Sequence, residues 1–338
     1  MNKVKYGQFY TKNSHYIVGD LINIIPNDKI VVDPFVGYGD LIKLLQNEKE
    51  IYDIDPKIDN TIKQDTLLNP LNYINKWIIT NPPYLARNKN KDKTLYDKYD
   101  LNDLYKIALK TIMGCEGGVI IIPLNFFSGQ DDKIRKEFLS QYKITKLKIF
   151  EEQVFDDTSY TVCAFSFIKE NNDRQIINTI FLPSEEIKNI ELTLSNNYMF
   201  GENFFKIINH ENPLKITRLV NYNVIKPNTY LYLRATDTGT DDGRISLTIN
   251  KNHFYGKNTD RTFATIILSD DFSNIDINQQ QNICNIFNFL LEKYRLEYNS
   301  LFLNNYRNST KSYSRKRISF NMAYKLISYI IKNEKWDV

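Results

Sequence analysis

Cysteine and histidine are nearly missing from this chain, with three of each in 338 residues. Cys115, Cys163 and Cys284 are scattered and odd in number. That excludes a disulfide framework and leads us to expect reduced thiols in a cytoplasmic setting. His15, His210 and His253 are equally scattered, and no His/Cys/carboxylate spacing suggests a metal site. No apolar run is long enough to span a bilayer. The start, Met-Asn-Lys-Val-Lys-Tyr, has no apolar signal core, so no membrane partner is expected. A strong charge bias is missing too: the net charge of +4 permits a nucleic-acid partner without demanding one. There is no internal repeat, no Gly-x-x-x-x-Gly-Lys phosphate loop and no Gly-x-Gly-x-x-Gly dinucleotide fingerprint. A Pro-Asp…Asp/Glu-x-Lys nuclease pattern is also lacking.

What is present suits a soluble protein of two domains, 42% hydrophobic and 25% charged. Short apolar runs read as buried strands: Lys29 to Asp33, Glu50 to Asp53, Trp77 to Thr80, Val119 to Pro123, Thr145 to Phe150 and Thr161 to Ile168, with a short one over Ile62 to Asp65. Helical periodicity lies between them: Ile17 to Ile25, Leu41 to Leu45, Leu101 to Met113, and Asp132 to Gln141. Strands alternating with helices predict an α/β fold with a mostly parallel sheet covered on both faces. The rhythm breaks near residue 170, where Asn171-Asn172-Asp173 reads as a turn or boundary. We therefore expect a first domain over residues 1–170 and a second, α+β region over 171–338. Helices are expected there over Asn278 to Tyr298 and Phe320 to Lys332.

The chemistry gathers around Asn81-Pro82-Pro83-Tyr84, just after the strand Trp77 to Thr80. Two prolines end the strand and stiffen the backbone. An amide and an aromatic ring are thus held at the carboxyl end of a sheet, where α/β folds place their ligands. The Asn side-chain oxygen and a proline carbonyl can both accept from one exocyclic amine, and the Tyr ring offers a face to a planar ring. The same residues would also serve as a plain rigid turn. Upstream, Phe35-Val36-Gly37-Tyr38-Gly39 sits between a strand and a helix, so the backbone can turn tightly and approach a ligand. Asp53 ends the next strand, where an acid can accept from ribose hydroxyls. Asp65 is placed to accept from an adenine amine. Each carboxylate alone reads more readily as a solvated strand-end charge. Together they describe a nucleoside cofactor site.

In this order the motifs resemble those of S-adenosylmethionine-dependent DNA adenine-N6 methyltransferases of the gamma class. The match runs from Tyr10-Thr11 through Asp33-Pro34-Phe35-Val36-Gly37-Tyr38-Gly39, Asp53 and Asp65 to Asn81-Pro82-Pro83-Tyr84, and covers about residues 1–170. The resemblance implies a Rossmann-like, seven-stranded methyltransferase sheet with an appended α+β target-recognition domain. It implies S-adenosyl-L-methionine as cofactor, held by Tyr10, Thr11, Asp33, Phe35, Gly37, Gly39, Asp53, Asp65, Asn81 and Pro83. Asn81 and the Pro82 carbonyl would accept the hydrogens of a flipped adenine amine, and Tyr84 would stack on the base. Phe155 best matches the second aromatic clamp, with Tyr160 as the competing choice. The implied partner is double-stranded DNA, bound by a monomer. The implied setting is the modification enzyme of a type II restriction-modification system, with a separate cognate endonuclease as a candidate partner.

The second half carries a basic stretch interleaved with aromatics, Tyr306, Arg307, Lys311, Tyr313, Arg315, Lys316 and Arg317. Arg307, Lys311, Arg315, Lys316 and Arg317 are candidates for DNA phosphate contacts, or form a solvated basic face. Arg234, Asp237, Thr238, Thr240 and Arg244 surround a turn that could reach base edges. The charged loop Arg87 to Lys98 could close over a flipped base. Rival readings are an RNA adenine or protein-glutamine methyltransferase with the same loop, and a non-catalytic DNA-binding protein.

Overall fold

The computed structural model describes residues 11–129, 133–156, 160–221, 226–238, 243–269, 275–308 and 314–333. The chain forms two compact units, residues 1–199 and 200–338.

The first unit is built on a nine-stranded sheet among the described residues. Its strands are β1 (Val31–Asp33), β2 (Lys49–Asp53), β3 (Ile62–Lys63), β4 (Trp77–Thr80), β5 (Gly117–Pro123), β6 (Tyr142–Phe150), β7 (Val162–Lys169), β8 (Arg174–Leu182) and β9 (Glu186–Thr193). Their order is β3-β2-β1-β4-β5-β7-β6-β8-β9. Strands β1 to β5 are parallel, and β7 runs antiparallel to both its neighbours. The expected α/β class with a mostly parallel sheet is present. The seven strands foreseen are joined by β8 and β9.

These two strands move the domain boundary. Asn171-Asn172-Asp173 is only a turn into β8, which pairs in parallel with β6. Gln175 stitches them: its amide oxygen accepts from Ile144 N at 2.9 Å, and its Nε2 donates to Leu139 O and Tyr142 O. Arg135, on the helix before β6, is 1% exposed and donates to Asn197 O at 2.7 Å. Residues 171–199 therefore belong to the first unit, and the division falls at 199 rather than 170.

Helices differ from those the periodicity predicts. Ser14–Val18 forms α1, followed by a 3₁₀ turn over Leu21–Ile24. Leu41 to Leu45 makes only a 3₁₀ turn, Ile42–Leu44, between β1 and β2. The glycine loop uses up the first half of that connection, so one turn suffices to bury Leu41 and Leu45. The expected loop at 87–98 instead contains α2 (Thr94–Tyr99). Helices α3 (Leu104–Thr111), α4 (Asn125–Ser128) and α5 (Lys133–Gln141) complete the unit.

Two glycines let β5 pass between its neighbours. A Cβ at Gly118 would lie 2.1 Å from Ile78 O, and one at Gly117 2.5 Å from Phe167 O. Gly118→Ala must therefore push β4 and β5 apart. We expect a loss of about 3 kcal/mol, read as a lowered urea midpoint. An unchanged midpoint would contradict so close an approach.

The second unit holds α6 (Glu202–Ile208) and a four-stranded sheet in the order β10-β13-β11-β12. Its strands are β10 (Thr217–Arg218), β11 (Leu231–Arg234), β12 (Ser246–Ile249) and β13 (Phe263–Ile267). Helix α7 (Ile277–Glu297) opens on a capping box between Asp276 and Gln279. The hairpin β14 (Asn304–Asn308) and β15 (Ser314–Arg317) precedes α8 (Phe320–Asn333). The two long helices stand where the apolar periodicity predicts them. Among the described residues no helix is long and apolar enough to cross a membrane.

Candidate functional site

Chain order along the sheet reverses between β1 and β4, since β2 and β3 lie on one side and β4 and β5 on the other. Such a switch point opens a crevice at the strands' carboxyl ends. A cavity lies there, lined by the ends of β1 (Asp33), β2 (Asp53) and β4 (Asn81) and by Asp65 beyond β3. Thr11, Phe35, Gly37 and Pro83 line it as well. Most of the sequence-predicted cofactor set thus meets in one place. Gly39 stands just outside that wall, and Tyr10 lies outside the described residues.

The glycine loop is shaped by its own backbone. Gly37 and Gly39 have φ of 54° and 74°, a region that side chains with a Cβ avoid. Gly37 N donates to Asp53 Oδ2 at 2.9 Å, and Asp55 N donates to Oδ1 at 2.8 Å. Asp53 thus ties the loop to the end of β2, a task the sequence did not suggest. The same carboxylate lines the cavity. Desolvation raises its pKa, and the two backbone donors oppose that rise. Asp33 is 1% exposed; its Oδ1 accepts from Phe35 N at 3.0 Å and from Thr80 Oγ1 at 2.8 Å. Burial lifts it to about 7. Asp65 Oδ1 accepts from Leu67 N and Leu68 N at 3.1 and 3.0 Å, which leaves Oδ2 for the cavity.

Several lining residues escaped the sequence reading: Asp40, Gln64, Asn90, Asp92 and Leu95. Three of them come from the 87–98 segment, which walls the cavity. Its fold is held by Arg87–Asp97 pairing at 2.7 Å and by Asp92, which caps α2 through Thr94 N and Oγ1. Asp103 was also missed. Its carboxylate accepts from Leu85 N at 3.1 Å and so braces the chain just after Tyr84. Burial raises its pKa to about 6. With this lining the cavity presents five carboxylates, Asp33, Asp40, Asp53, Asp65 and Asp92, and, among the described residues, no lysine, arginine or histidine.

Asn81 is half-buried and sits between two hydroxyls. Its Nδ2 donates to Thr11 Oγ1 at 3.1 Å, and its Oδ1 accepts from the Tyr84 hydroxyl. That hydroxyl also lies 2.9 Å from Ile121 O. A phenol has one proton, so the two acceptors share it. Tyr84 can therefore release Asn81 Oδ1 without losing its own hydrogen bond. Pro82 is buried and Pro83 half-buried.

The aromatic rings depart from expectation. Tyr84 was expected to offer a stacking face, yet it is 3% exposed and meets Tyr105 and Tyr160 edge-on, each at 6.3 Å. Its hydroxyl anchors it inward to β5. Phe155 is 2% exposed and packs in the core, so it does not present a ring to a ligand. Tyr160 is half-buried, and Lys89 Nζ donates to its hydroxyl at 3.2 Å. Of the two aromatic candidates, Tyr160 is the accessible one.

In the second unit, Lys316 is 5% exposed, and its backbone N donates to Asp237 Oδ2 at 3.2 Å. Alternation along β15 buries Lys316 while Arg315 and Arg317 are half-exposed on the other face. Lys316 is therefore not a surface phosphate contact. Asp237 is a buried acid paired with Arg295 by two hydrogen bonds of 3.1 and 3.0 Å, which rules it out as a reader of base edges. Arg307 lies on β14, and Lys311 and Thr240 fall outside the described residues. No group of His, Cys, Asp and Glu that could hold a metal ion is found among the described residues.

No protein-family model and no curated protein matches the chain. Solved structures give distant likenesses. One is a modification subunit provisionally assigned to a type I restriction enzyme from Vibrio vulnificus YJ016, 15% identical with a TM-score of 0.43 over 74% of this chain and 60% of that one. A second, from Listeria monocytogenes, is provisionally assigned as a class I S-adenosylmethionine-dependent methyltransferase. It is 15% identical with a TM-score of 0.42 over 53% of this chain and 69% of that one. A third is the type I restriction-modification methyltransferase subunit from Streptococcus thermophilus, 16% identical with a TM-score of 0.40 over 52% and 48%. The chain spans 60% of the first and about half of the third. Likenesses this distant leave the site to be read from its own residues.

Proposed function

We propose that the chain is a DNA adenine-N6 methyltransferase that uses S-adenosyl-L-methionine. The observation that carries this reading is the cavity's charge. Five carboxylates, with no lysine or arginine among the described lining residues, suit a cationic nucleoside and disfavour phosphate-bearing ones. The Asn81 loop sits on the same cavity, so an amine acceptor adjoins the cation site. When bound, S-adenosylmethionine supplies a methyl group on positive sulfur.

The protein's part is placement and polarity. Asp65 Oδ2 suits an adenine amine, and Asp53, at the cavity wall, suits ribose hydroxyls. An incoming target amine donates to Asn81 Oδ1 while the Tyr84 hydroxyl keeps its hydrogen bond to Ile121 O. The Pro82 carbonyl accepts the amine's second hydrogen. Two acceptors draw the nitrogen toward a tetrahedral form and localise its lone pair for attack. The new N–C bond forms as the S–C bond breaks, and the nitrogen then gives a proton to solvent. Such an amine is paired inside a duplex, so the base must be flipped out.

Tyr160 is the proposed stacking partner, in place of Phe155 and ahead of Tyr84. Tyr160→Ala should leave stability nearly unchanged and weaken capture of a flipped base by about 1–3 kcal/mol, read by 2-aminopurine fluorescence. Phe155→Ala should instead cost about 3–5 kcal/mol of stability. The opposite pattern would return the clamp to Phe155.

The test of substrate class is transfer of labelled methyl in a mixture of duplex DNA, ribosomal RNA and protein. Label in DNA alone is expected. Label confined to RNA or protein would replace this reading by the rival with the same loop. We place DNA contacts in the second unit, with Arg307, Lys311, Arg315 and Arg317 as phosphate-binding candidates. The type II setting, a cognate endonuclease and action as a monomer complete the proposal.

A further inference from the structure

The buried hydroxyl of Thr80 has no role in the function proposed above. Thr80 ends β4, is 0% exposed, and immediately precedes Asn81. Its hydroxyl donates to Asp33 Oδ1, the same oxygen that accepts from Phe35 N. Both protein donors therefore meet one oxygen. Asp33 makes no other hydrogen bond among the described residues and lines the cavity, so Oδ2 is left for a ligand. Asp33 ends β1, the parallel neighbour of β4, so the bond joins two adjacent strand ends at the cavity. The hydroxyl is spent on the deepest acid of the cavity.

We propose that Thr80 is a positioning residue for the cation: its hydroxyl fixes the Asp33 carboxylate with Oδ2 facing the cavity. The inference rests on reading the cavity as an S-adenosylmethionine site. Burial raises the pKa of Asp33, and Asp53 on β2 adds to the rise; the Phe35 N–H and the Thr80 hydroxyl oppose it. The hydroxyl of Tyr73, ahead of β4, is the other titratable group coupled to it. Among the described residues no basic side chain lines the cavity to help. Without the Thr80 donor, the proton affinity of Asp33 rises further. More of it is then neutral at neutral pH, and a neutral carboxyl gives a cation little. A cation prefers ionised Asp33, so its affinity should climb as pH rises through about 7 in the native chain. In Thr80→Val that climb should shift to higher pH.

The test is calorimetric titration of the full chain with S-adenosylmethionine and with methylthioadenosine, across neutral pH. Methylthioadenosine keeps the nucleoside but carries neither the sulfonium nor the ammonium. Thr80→Val should weaken S-adenosylmethionine about fivefold at pH 7, the effect of a tenfold gain in Asp33 proton affinity on a group that titrates at about 7. The loss should shrink at alkaline pH, be absent for methylthioadenosine, and be restored in Thr80→Ser. Equal binding by Thr80→Val and the native chain at every pH would overturn the proposal. So would an equal loss for both ligands at all pH values without rescue by serine, since that pattern marks a packing role. If the native chain binds neither ligand, the cofactor reading itself falls. If it binds both with no pH dependence, only the Asp33 inference falls.

Discussion

Asn81→Ala is expected to abolish methyl transfer while cofactor binding stays nearly normal. Asn81 Oδ1 is the acceptor that Tyr84 can vacate, because Ile121 O stands ready 2.9 Å from the same hydroxyl. Removing the amide removes one of the two dipoles that localise the amine's lone pair. Loss of one such preorganised group costs on the order of 10²–10³ in turnover. The amide's other bond, to Thr11 Oγ1, is lost too. Thr11 is a small part of the cavity wall, so cofactor affinity should change only slightly. Single-turnover kinetics at saturating cofactor separate the two effects. Turnover within about tenfold of the native rate would remove Asn81 from the chemistry.

Asp53→Ala should produce the reverse pattern: cofactor affinity collapses, and turnover partly returns at high cofactor concentration. The carboxylate holds Gly37 N and Asp55 N at 2.9 and 2.8 Å in a position only 3% exposed. Each orphaned N–H costs about 1–3 kcal/mol. The loop with φ of 54° at Gly37 and 74° at Gly39 then loses its tie to β2. A cofactor Kd weakened by about 10²-fold or more is expected, checked by calorimetry. Asp53→Asn is a useful companion. It keeps one acceptor oxygen and should fall between alanine and the native residue. A native Kd in Asp53→Ala would mean that the loop is held by its glycines alone.

Much of the first unit was legible because its buried strands are short apolar runs, and Trp77 to Thr80 has the bounds foreseen. The clustering of these candidates was legible because Asp33 and Asp53 end their strands, Asp65 follows β3 and Asn81 follows β4, and all four line one cavity. What was hidden has physical causes. In β8 the buried face is Gln175, Ile177, Thr179 and Phe181, so polar residues on the inward face broke the apolar alternation. Asn171-Asn172-Asp173 then looked like a boundary. The crossover carrying Leu41 and Leu45 had helical spacing, but spacing says nothing about how much chain the glycine loop consumes. A tyrosine in the sequence shows a ring but not its direction, so the anchoring of Tyr84 to Ile121 O was invisible. Asp237 and Arg295 are 58 residues apart, and no local pattern announces their pairing. Lys316 was read with its basic neighbours although strand alternation sends it inward.

The central claim is tested most directly by nucleoside analysis of DNA from cells making the native chain or Asn81→Ala. The account predicts N6-methyladenine with the native chain and none with the variant, at equal levels of folded protein. Methyl on cytosine, no modified base with a native chain that binds the cofactor, or equal N6-methyladenine from both chains would contradict it.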